Sequence, residues 1–163
     1  MEIKLVEEIS YDKESGGWYY KDIRYLFIRP ETIVGIQKKV NEICGEAKEA
    51  LFSGGYTGGK LSAEKFTKEL GLSEEEILAF MCSMGTQLGW GRMEWELHGE
   101  KFVIRVHNSP FAEAYGESDE GVCHLIEGVF AGVGEIIFGK AVSEERLCKA
   151  KGDAYCEIVV ERR

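Results

Sequence analysis

The period of the hydrophobic pattern changes along the chain, and this change constrains the fold more than any other feature. Between Ile33 and Leu51 the apolar residues recur at steps of three and four, which is typical of one face of a helix. Over Met93–Leu97 and Phe102–Val106 apolar and polar residues instead alternate, which predicts two strands joined at His98-Gly99-Glu100. The chain therefore combines helices with a β-hairpin.

The second half of the chain repeats this change of period. Apolar residues recur at helical spacing over Asp119–Gly139. Two further strands, Val142–Ala150 and Ala154–Glu161, then flank the turn Lys151-Gly152-Asp153. The order strand, helices, hairpin, helix, hairpin predicts an α+β fold, with helices packed on an antiparallel sheet.

Capping and glycine signals place the other elements. Ser73 and Glu76 form a capping box, which predicts the start of a helix. Pro30 suits the first turn of another helix because its missing N–H needs no partner there. The predicted elements are a strand over Trp18–Ile28, helices over Pro30–Phe52, Ala63–Leu70 and Glu74–Leu88, a glycine-rich connector over Gly54–Gly59 and a loop over Asn108–Asp119.

The helical stretch before the last hairpin contains four glycines, Gly121, Gly128, Gly132 and Gly134. A glycine inside a helix costs about 0.5–1 kcal/mol relative to alanine, so these positions predict that another backbone or a ligand comes very close. Close packing on a sheet is the favoured interpretation.

Size and charge limit the class of protein. The 163 residues, 44% of them apolar, suit a single domain over residues 1–163, with residues 18–163 as its body and residues 1–17 as an extension or a dimerisation arm. A net charge of −9 argues against a nucleic-acid partner. No apolar run is long enough to cross a membrane and the N-terminus lacks a signal-peptide pattern, so a soluble cytoplasmic protein is expected.

The cysteines indicate a metal site rather than a disulfide framework. The chain has five, an odd number, and a cytoplasmic chain of this size rarely uses disulfides. Cys148 and Cys156 lie symmetrically about Gly152, so the predicted hairpin places them opposite each other, where two thiolates can share a zinc ion. Glu145 and Cys123 are candidates for the other two ligand positions.

Other interpretations of these residues stay open. Cys148 and Cys156 are also compatible with a cross-strand disulfide or with two buried apolar thiols. His124 is an alternative to Glu145 as the fourth ligand. Core positions on helical faces are expected for the other two cysteines, Cys44 and Cys82.

A pattern of glycines, cysteines and one charged turn occupies the last part of the chain. It comprises Gly121-Val122-Cys123, the later helix glycines, Cys148, and the run Lys151-Gly152-Asp153-Ala154-Tyr155-Cys156-Glu157. This pattern resembles the 4-vinyl reductase domain family, and the resemblance extends over about residues 23–160. The family includes the sensor domains of bacterial transcription activators that respond to phenolic compounds, and the small subunits of the TRAPP vesicle-tethering complex share its broader fold.

The resemblance implies a TRAPP-subunit-like ligand-binding fold that dimerises and encloses a hydrophobic cavity near a metal. In the phenol sensors it implies a zinc ion bound by three cysteines and a glutamate, and the matching positions here are Cys123, Glu145, Cys148 and Cys156. Four protein ligands leave no position for water, so this zinc is expected to be structural. The candidate ligand-binding residues are Trp90, Phe102, Ile104, His107, Phe111, Tyr115 and Phe130.

The favoured prediction is a stand-alone, sensor-like domain that binds a hydrophobic or aromatic small molecule, contains a structural zinc and forms a homodimer. The alternative is an enzyme or accessory protein acting on a vinyl-bearing tetrapyrrole or aromatic compound, although no nucleotide-binding glycine pattern follows a strand and no catalytic residue is assigned. A third interpretation is an interaction module like the TRAPP subunits, with Cys44 as the position for an attached acyl chain. A fourth is redox sensing through thiol oxidation and loss of zinc.

Overall fold

The structure is a computed structural model that describes residues 4–163, so residues 1–3 of the predicted N-terminal extension lie outside the described residues. None of the helices described is both long and apolar enough to cross a membrane. The helices are α1 (Leu5–Glu8), α2 (Pro30–Cys44), α3 (Ala47–Leu70), α4 (Glu74–Gln87), α5 (Pro110–Tyr115) and α6 (His124–Phe138), with a short 3-10 helix over Lys149–Lys151. The strands are β1 (Ser10–Asp12), β2 (Gly17–Tyr20), β3 (Ile23–Tyr25), β4 (Arg92–His98), β5 (Lys101–His107), β6 (Ala141–Leu147) and β7 (Cys156–Arg162).

Four antiparallel strands form the main sheet, in the order β4-β5-β7-β6. Both predicted hairpins are present, and pairing of β5 with β7 joins them into one sheet. Alternate residues of β5, Phe102, Ile104 and Val106, are fully buried, and the residues between them are partly exposed. One face of the sheet therefore packs on the core, and the predicted α+β fold with helices on an antiparallel sheet is confirmed.

Helix α6 contacts the main sheet on one side and α3 on the other. Gly134 faces Val160 and Phe102 of the sheet. Gly128 and Gly132 instead lie against the backbone of α3, so the interpretation that these glycines pack on a sheet is wrong for them. Their missing side chains let two helix backbones approach more closely than any larger residue permits.

The predicted connector over residues 54–59 is part of a helix. The predicted helix from Pro30 to Phe52 is in fact two helices, because α2 ends at a left-handed glycine and α3 then runs through the glycine-rich stretch. Gly55 and Gly59 lie against the backbones of Leu125 and Val129 in α6. Contact with α6 stabilises a helix that glycine disfavours locally, which is why the sequence pattern was misleading here.

Smaller differences occur at the element ends. The predicted strand over residues 18–28 is interrupted at Lys21, whose φ is 55°, and so forms β2 and β3 of a separate three-stranded sheet with β1. The predicted loop over residues 108–119 contains α5, which Ser109 caps by accepting a hydrogen bond from the Ala112 N–H. The capping box of Ser73 and Glu76 at the start of α4 is confirmed.

Candidate metal centre and apolar pocket

Three cysteines and a glutamate meet where α6 begins beside the last hairpin. Cys123 directly precedes α6, Glu145 lies on β6, and Cys156 begins β7. Cys148 follows the end of β6, and the last strand pair, Leu147 with Glu157, places Cys148 opposite Cys156. The 3-10 turn between the two strands therefore brings both thiols to the same end of the sheet as the N-terminus of α6.

The distances among these side chains suit one tetrahedral ion. The ligand atoms of Cys123, Glu145, Cys148 and Cys156 all lie within 4.8 Å of one another. The Cys156 Sγ is 3.5 Å from the Cys123 Sγ and 3.9 Å from the Cys148 Sγ. Two sulfurs at the usual zinc distance in a tetrahedral site are about 3.8 Å apart. All three thiols are fully buried, so their donor set matches a closed structural site.

Backbone and side-chain groups around the cluster fix its geometry. The Lys149 N–H donates to the Cys156 Sγ at 3.3 Å, and the Cys123 N–H donates to the Glu145 Oε2 at 3.1 Å. Asp153 Oδ2 accepts from the Cys148 N–H at 2.8 Å and so holds the turn that carries this cysteine. Hydrogen bonds of this kind orient ligand atoms before an ion binds.

Burial and mutual hydrogen bonding shift pKa values within this cluster. Burial, together with the Cys148 thiol, raises the pKa of Glu145 to about 8. Hydrogen bonds from the thiols of Cys123 and Cys148 lower the pKa of Cys156. Hydrogen bonds to the thiols of Cys148 and Cys156, together with burial, raise the pKa of Cys123. Among the residues described, the buried Glu145 Oε1 has no hydrogen-bond partner. A cation would satisfy this oxygen, so the residues present fit the zinc that the resemblance implies.

The structure also bears on the alternatives for these residues. All five cysteines are free thiols, including Cys148 and Cys156. His124, the alternative fourth ligand, groups with Glu127 and Glu145 rather than with the thiols. Cys82 is buried as expected, but Cys44 is exposed at the C-terminus of α2, so the expectation of a core position was wrong for Cys44.

An apolar, partly open pocket of about 490 Å³ lies against α3, α4 and α6. Residues 25–29, which begin at the last residue of β3, form one border, and the glycines of α3 form another. Large apolar side chains make up most of the remaining wall: Met81, Met84, Trp90, Met93 and Phe130. A pocket of this size and composition suits a small, mostly apolar molecule.

Two of the predicted ligand-binding residues, Trp90 and Phe130, line this pocket. Phe111 packs edge-on against Trp90, with ring centroids 5.6 Å apart, and so supports the wall from behind. The Lys38 ammonium lies over the ring of Tyr115, 4.6 Å from the ring centroid. The structure therefore brings together the aromatic residues from the start of β4 and from α6.

The other predicted ligand-binding residues occupy different places. Phe102 and Ile104 are fully buried core residues of β5, and the Phe102 ring stacks on Phe138. His107, at the end of β5, lies 3.2 Å from the Glu94 carboxylate and packs against Tyr155. These three residues are not among the described residues that line the apolar pocket.

Sequence reasoning missed the α3 side of the pocket because residues 54–59 were predicted as a connector. A signal for this wall is present in the sequence. Gly55 and Gly59 repeat the four-residue spacing of Gly128 and Gly132, and the two pairs contact each other's helices. Paired small residues at helical spacing are typical of two helices in close contact.

The fold and the site together define a mixed helix–sheet domain with a thiol-rich cluster beside an apolar pocket. Residues 102–162 match the family profile of the 4-vinyl reductase domain. The resemblance to this family that the sequence predicts is thereby confirmed. No curated protein sequence matches the chain.

Several solved structures share this fold. The phenol-responsive sensory domain of the transcription activator PoxR, solved with phenol, has a TM-score of 0.84 and 16% identity, covering 97% of this chain and 86% of that chain. A trafficking protein particle complex subunit 3 from Naegleria fowleri, covalently bound to palmitic acid, has a TM-score of 0.59 and 16% identity over 82% of this chain and 95% of that chain. A vinyl-4-reductase family protein from Methanocaldococcus jannaschii has a TM-score of 0.57 and 18% identity, covering 85% of this chain and 84% of that chain. At these identities the likeness shows a shared fold, which confirms the predicted TRAPP-like class.

The two cysteines outside the cluster should differ sharply in reactivity. Only a thiolate is alkylated, and burial raises the pKa of the Cys82 thiol while also excluding the reagent. Iodoacetamide should therefore modify the exposed Cys44 at least about a hundred times faster than Cys82 in the folded protein, because Cys82 reacts only after local opening. Peptide mass spectrometry after timed labelling measures both rates. Similar rates in the folded protein, with no further change in denaturant, would contradict the buried position of Cys82.

Proposed function

We propose that this protein is a sensor-like domain that binds a hydrophobic or aromatic small molecule in the apolar pocket. The pocket of about 490 Å³, lined by Trp90, Phe130 and three methionines, carries the proposal. The fold supports it, because the PoxR sensory domain with the same fold is phenol-responsive and was solved with phenol. A ligand bound there replaces water against apolar walls, which is the main source of its affinity.

A few polar groups in the pocket favour a ligand with one hydroxyl or similar group. Ser62 and Tyr25 both contribute to the lining. Burial raises the pKa of Tyr25 to about 12, so its hydroxyl stays protonated at neutral pH and is able to donate or accept a hydrogen bond. Methionine side chains on two other walls adapt their shape to different ring substituents. We therefore expect a preference for small phenols over fully apolar molecules of equal size.

The thiol-rich cluster is proposed to hold one zinc ion, bound by Cys123, Cys148, Cys156 and Glu145. With four protein ligands such an ion supplies no reactive position and acts as a cross-link. The proposed link ties the last hairpin to Cys123, the residue that directly precedes α6. Since Phe130 and Val129 of α6 line the pocket, a fixed start of this helix stabilises one pocket wall.

A cytoplasmic homodimer completes the proposal. Leu26, Phe27 and Ile28, on the rim of the pocket, are 79%, 68% and 53% exposed. Consecutive exposed apolar side chains of this kind suit contact with a second copy of the chain. The free cysteines suit a reducing compartment.

Filling the pocket should abolish ligand binding without disturbing the fold. A Cβ built at Gly58 meets no atom within 4 Å, and Gly58 lines the pocket, so Gly58→Leu places its side chain in the space that the ligand needs. We expect phenol to raise the melting temperature of the wild type. The affinity of the protein for phenol should fall at least about tenfold, or 1.4 kcal/mol, in Gly58→Leu. Isothermal titration with phenol measures the difference.

The matched control for this experiment is Gly35→Leu in α2. Gly35 also meets no atom within 4 Å of a built Cβ, and it does not belong to the described pocket lining. This variant should bind phenol as the wild type does. Equal affinities in Gly58→Leu and the wild type would place binding elsewhere. Chemical conversion of the phenol during the titration, detected by mass spectrometry, would favour an enzyme instead.

A further inference from the structure

A second group of ligand atoms lies beside the thiol-rich cluster. A nitrogen of His124 and carboxylate oxygens of Glu127 and Glu145 lie within 4.8 Å of one another. In the described part of the chain, four buried side-chain polar atoms lack a hydrogen-bond partner, and three of them are His124 Nδ1, Glu127 Oε2 and Glu145 Oε1. Buried polar atoms are rarely left unpaired, so His124 Nδ1 and Glu127 Oε2, which are not among the four proposed zinc ligands, indicate a second missing partner beside Glu145.

The local structure fixes these side chains in place. His124 and Glu127 are three residues apart in the first turn of α6 and so share a helix face. Ser143 on β6 donates a hydrogen bond to Glu127 Oε1 at 3.1 Å, which leaves Oε2 for another partner. Glu127 is only 3% exposed. A buried acceptor held in this way is positioned to bind a ligand.

The two carboxyl groups also lack a direct ionic partner, since within residues 4–163 no salt bridge joins Glu127 or Glu145 to a lysine or arginine. Buried carboxyl groups normally have such a partner or coordinate a metal. Neutral imidazole together with two carboxylates is a metal-binding set.

We propose that His124, Glu127 and Glu145 bind a divalent transition-metal ion, at a site distinct from the proposed zinc site of the three cysteines. The two sites share Glu145, whose two oxygens allow one carboxylate to serve two ions, and to that extent this site rests on the proposed function. One imidazole nitrogen and two carboxylate oxygens suit Mn²⁺, Fe²⁺, Co²⁺ or Zn²⁺ better than Mg²⁺ or Ca²⁺, which prefer oxygen ligands. Three protein ligands leave a coordination position open.

An open groove gives this site access to solvent. A groove of about 630 Å³ lies between the start of α3 and β6, and both Glu127 and Ser143 line it. Among the described residues, none lines both this groove and the apolar pocket. An ion therefore has a route to Glu127 that does not pass through the ligand pocket. The open coordination position is available to water or to an anion from the groove.

Cobalt titration separates the two sites, because only thiolate ligands give Co²⁺ an intense charge-transfer absorbance. Metal-free, reduced wild-type protein is titrated with Co²⁺, and bound cobalt is measured by equilibrium dialysis and mass spectrometry. We expect the charge-transfer absorbance to saturate with the first equivalent and a second equivalent to bind without increasing it. His124→Gln and Glu127→Gln should each lose the second equivalent and keep the full absorbance.

Matched controls exclude indirect effects. His98→Gln and Glu144→Gln replace exposed residues of the same types, and both should keep two equivalents of cobalt. Glu127→Gln keeps the shape of the side chain and its bond from Ser143, so its folded state should survive. Circular dichroism and melting of the metal-free variants verify this.

Three results decide between the proposals. Wild-type protein that binds only the thiolate-linked equivalent overturns the second site. A second equivalent that persists in both His124→Gln and Glu127→Gln also overturns it. Cobalt bound without charge-transfer absorbance in the wild type, and lost in Glu127→Gln, supports the second site while it removes the proposed zinc site. Cys156→Ser should likewise lose the absorbance and retain the equivalent that Glu127 binds.

Discussion

Replacing Gly59 by alanine should destabilise the protein by about 3 kcal/mol, whereas the same change at the adjacent Gly58 should stabilise it slightly. A Cβ at Gly59 would overlap the backbone of Val129 in α6, and a backbone cannot move aside as a flexible side chain does. At Gly58 a Cβ meets no atom within 4 Å, so alanine adds only its better helix propensity, about 0.5–1 kcal/mol. Urea unfolding of both variants measures the difference.

The comparison is sharp because both glycines lie in one helix and differ only in what they face. Gly55 provides a second test, since its Cβ would overlap the backbone oxygen of Leu125, while the neighbouring Gly54 meets no atom within 4 Å. The pairs Gly55→Ala with Gly54→Ala and Gly59→Ala with Gly58→Ala should therefore give the same pattern. Similar stabilities for both members of each pair would mean that α3 and α6 are not in direct backbone contact.

Cys156→Ser should remove the thiolate-bound zinc from the purified protein and lower its free energy of unfolding by about 4 kcal/mol. The thiol of Cys156 contacts both other cysteines of the cluster, so its loss breaks the site at its centre. The binding energy of a structural metal contributes directly to the free energy of folding. Loss of such a metal is therefore among the largest effects that a single substitution has on stability. Elemental analysis of zinc after gel filtration and urea unfolding give both values.

Cys82→Ser is the control because Cys82 is also a buried cysteine, 2% exposed, but lies outside the cluster. This variant should lose about 1–2 kcal/mol of stability from its buried hydroxyl and retain full zinc. A strong chelator should then lower the melting temperature of Cys82→Ser more than that of Cys156→Ser. Equal zinc contents in the two variants would contradict the four-ligand assignment.

The proposed binding site and both proposed ion sites depend on the position of α6. Its N-terminus carries Cys123 and His124, its middle carries Phe130 in the pocket wall, and its glycines contact α3. A ligand that displaces α6 relative to α3 would therefore change the surroundings of the metal ligands. The glycine variants test the contact between α6 and α3, and the metal variants separately test the ion sites at the N-terminus of α6.

Much of the fold was predictable because the deciding interactions are local. Alternation over Met93–Leu97 and Phe102–Val106 predicted a hairpin that is present with the expected turn at Gly99. The symmetry of Cys148 and Cys156 about Gly152 predicted that they face each other, since strand register near a short turn depends on counting residues from the turn. The capping box of α4 is likewise a contact between residues three positions apart.

The tertiary structure decided the features that depend on distant segments. Glycine disfavours a helix locally, but residues 54–59 are helical because α6, about seventy residues later, packs against them. The same contact creates the α3 wall of the apolar pocket, for which the only sequence signal is the matching spacing of two glycine pairs in distant segments. His124 and Glu127 become a candidate ion site only because β6 places Glu145 and Ser143 beside them. The sequence alone thus determined the two hairpins and the opposition of Cys148 and Cys156, whereas contacts between distant segments determined the joined four-stranded sheet, the pocket and the proposed second ion site.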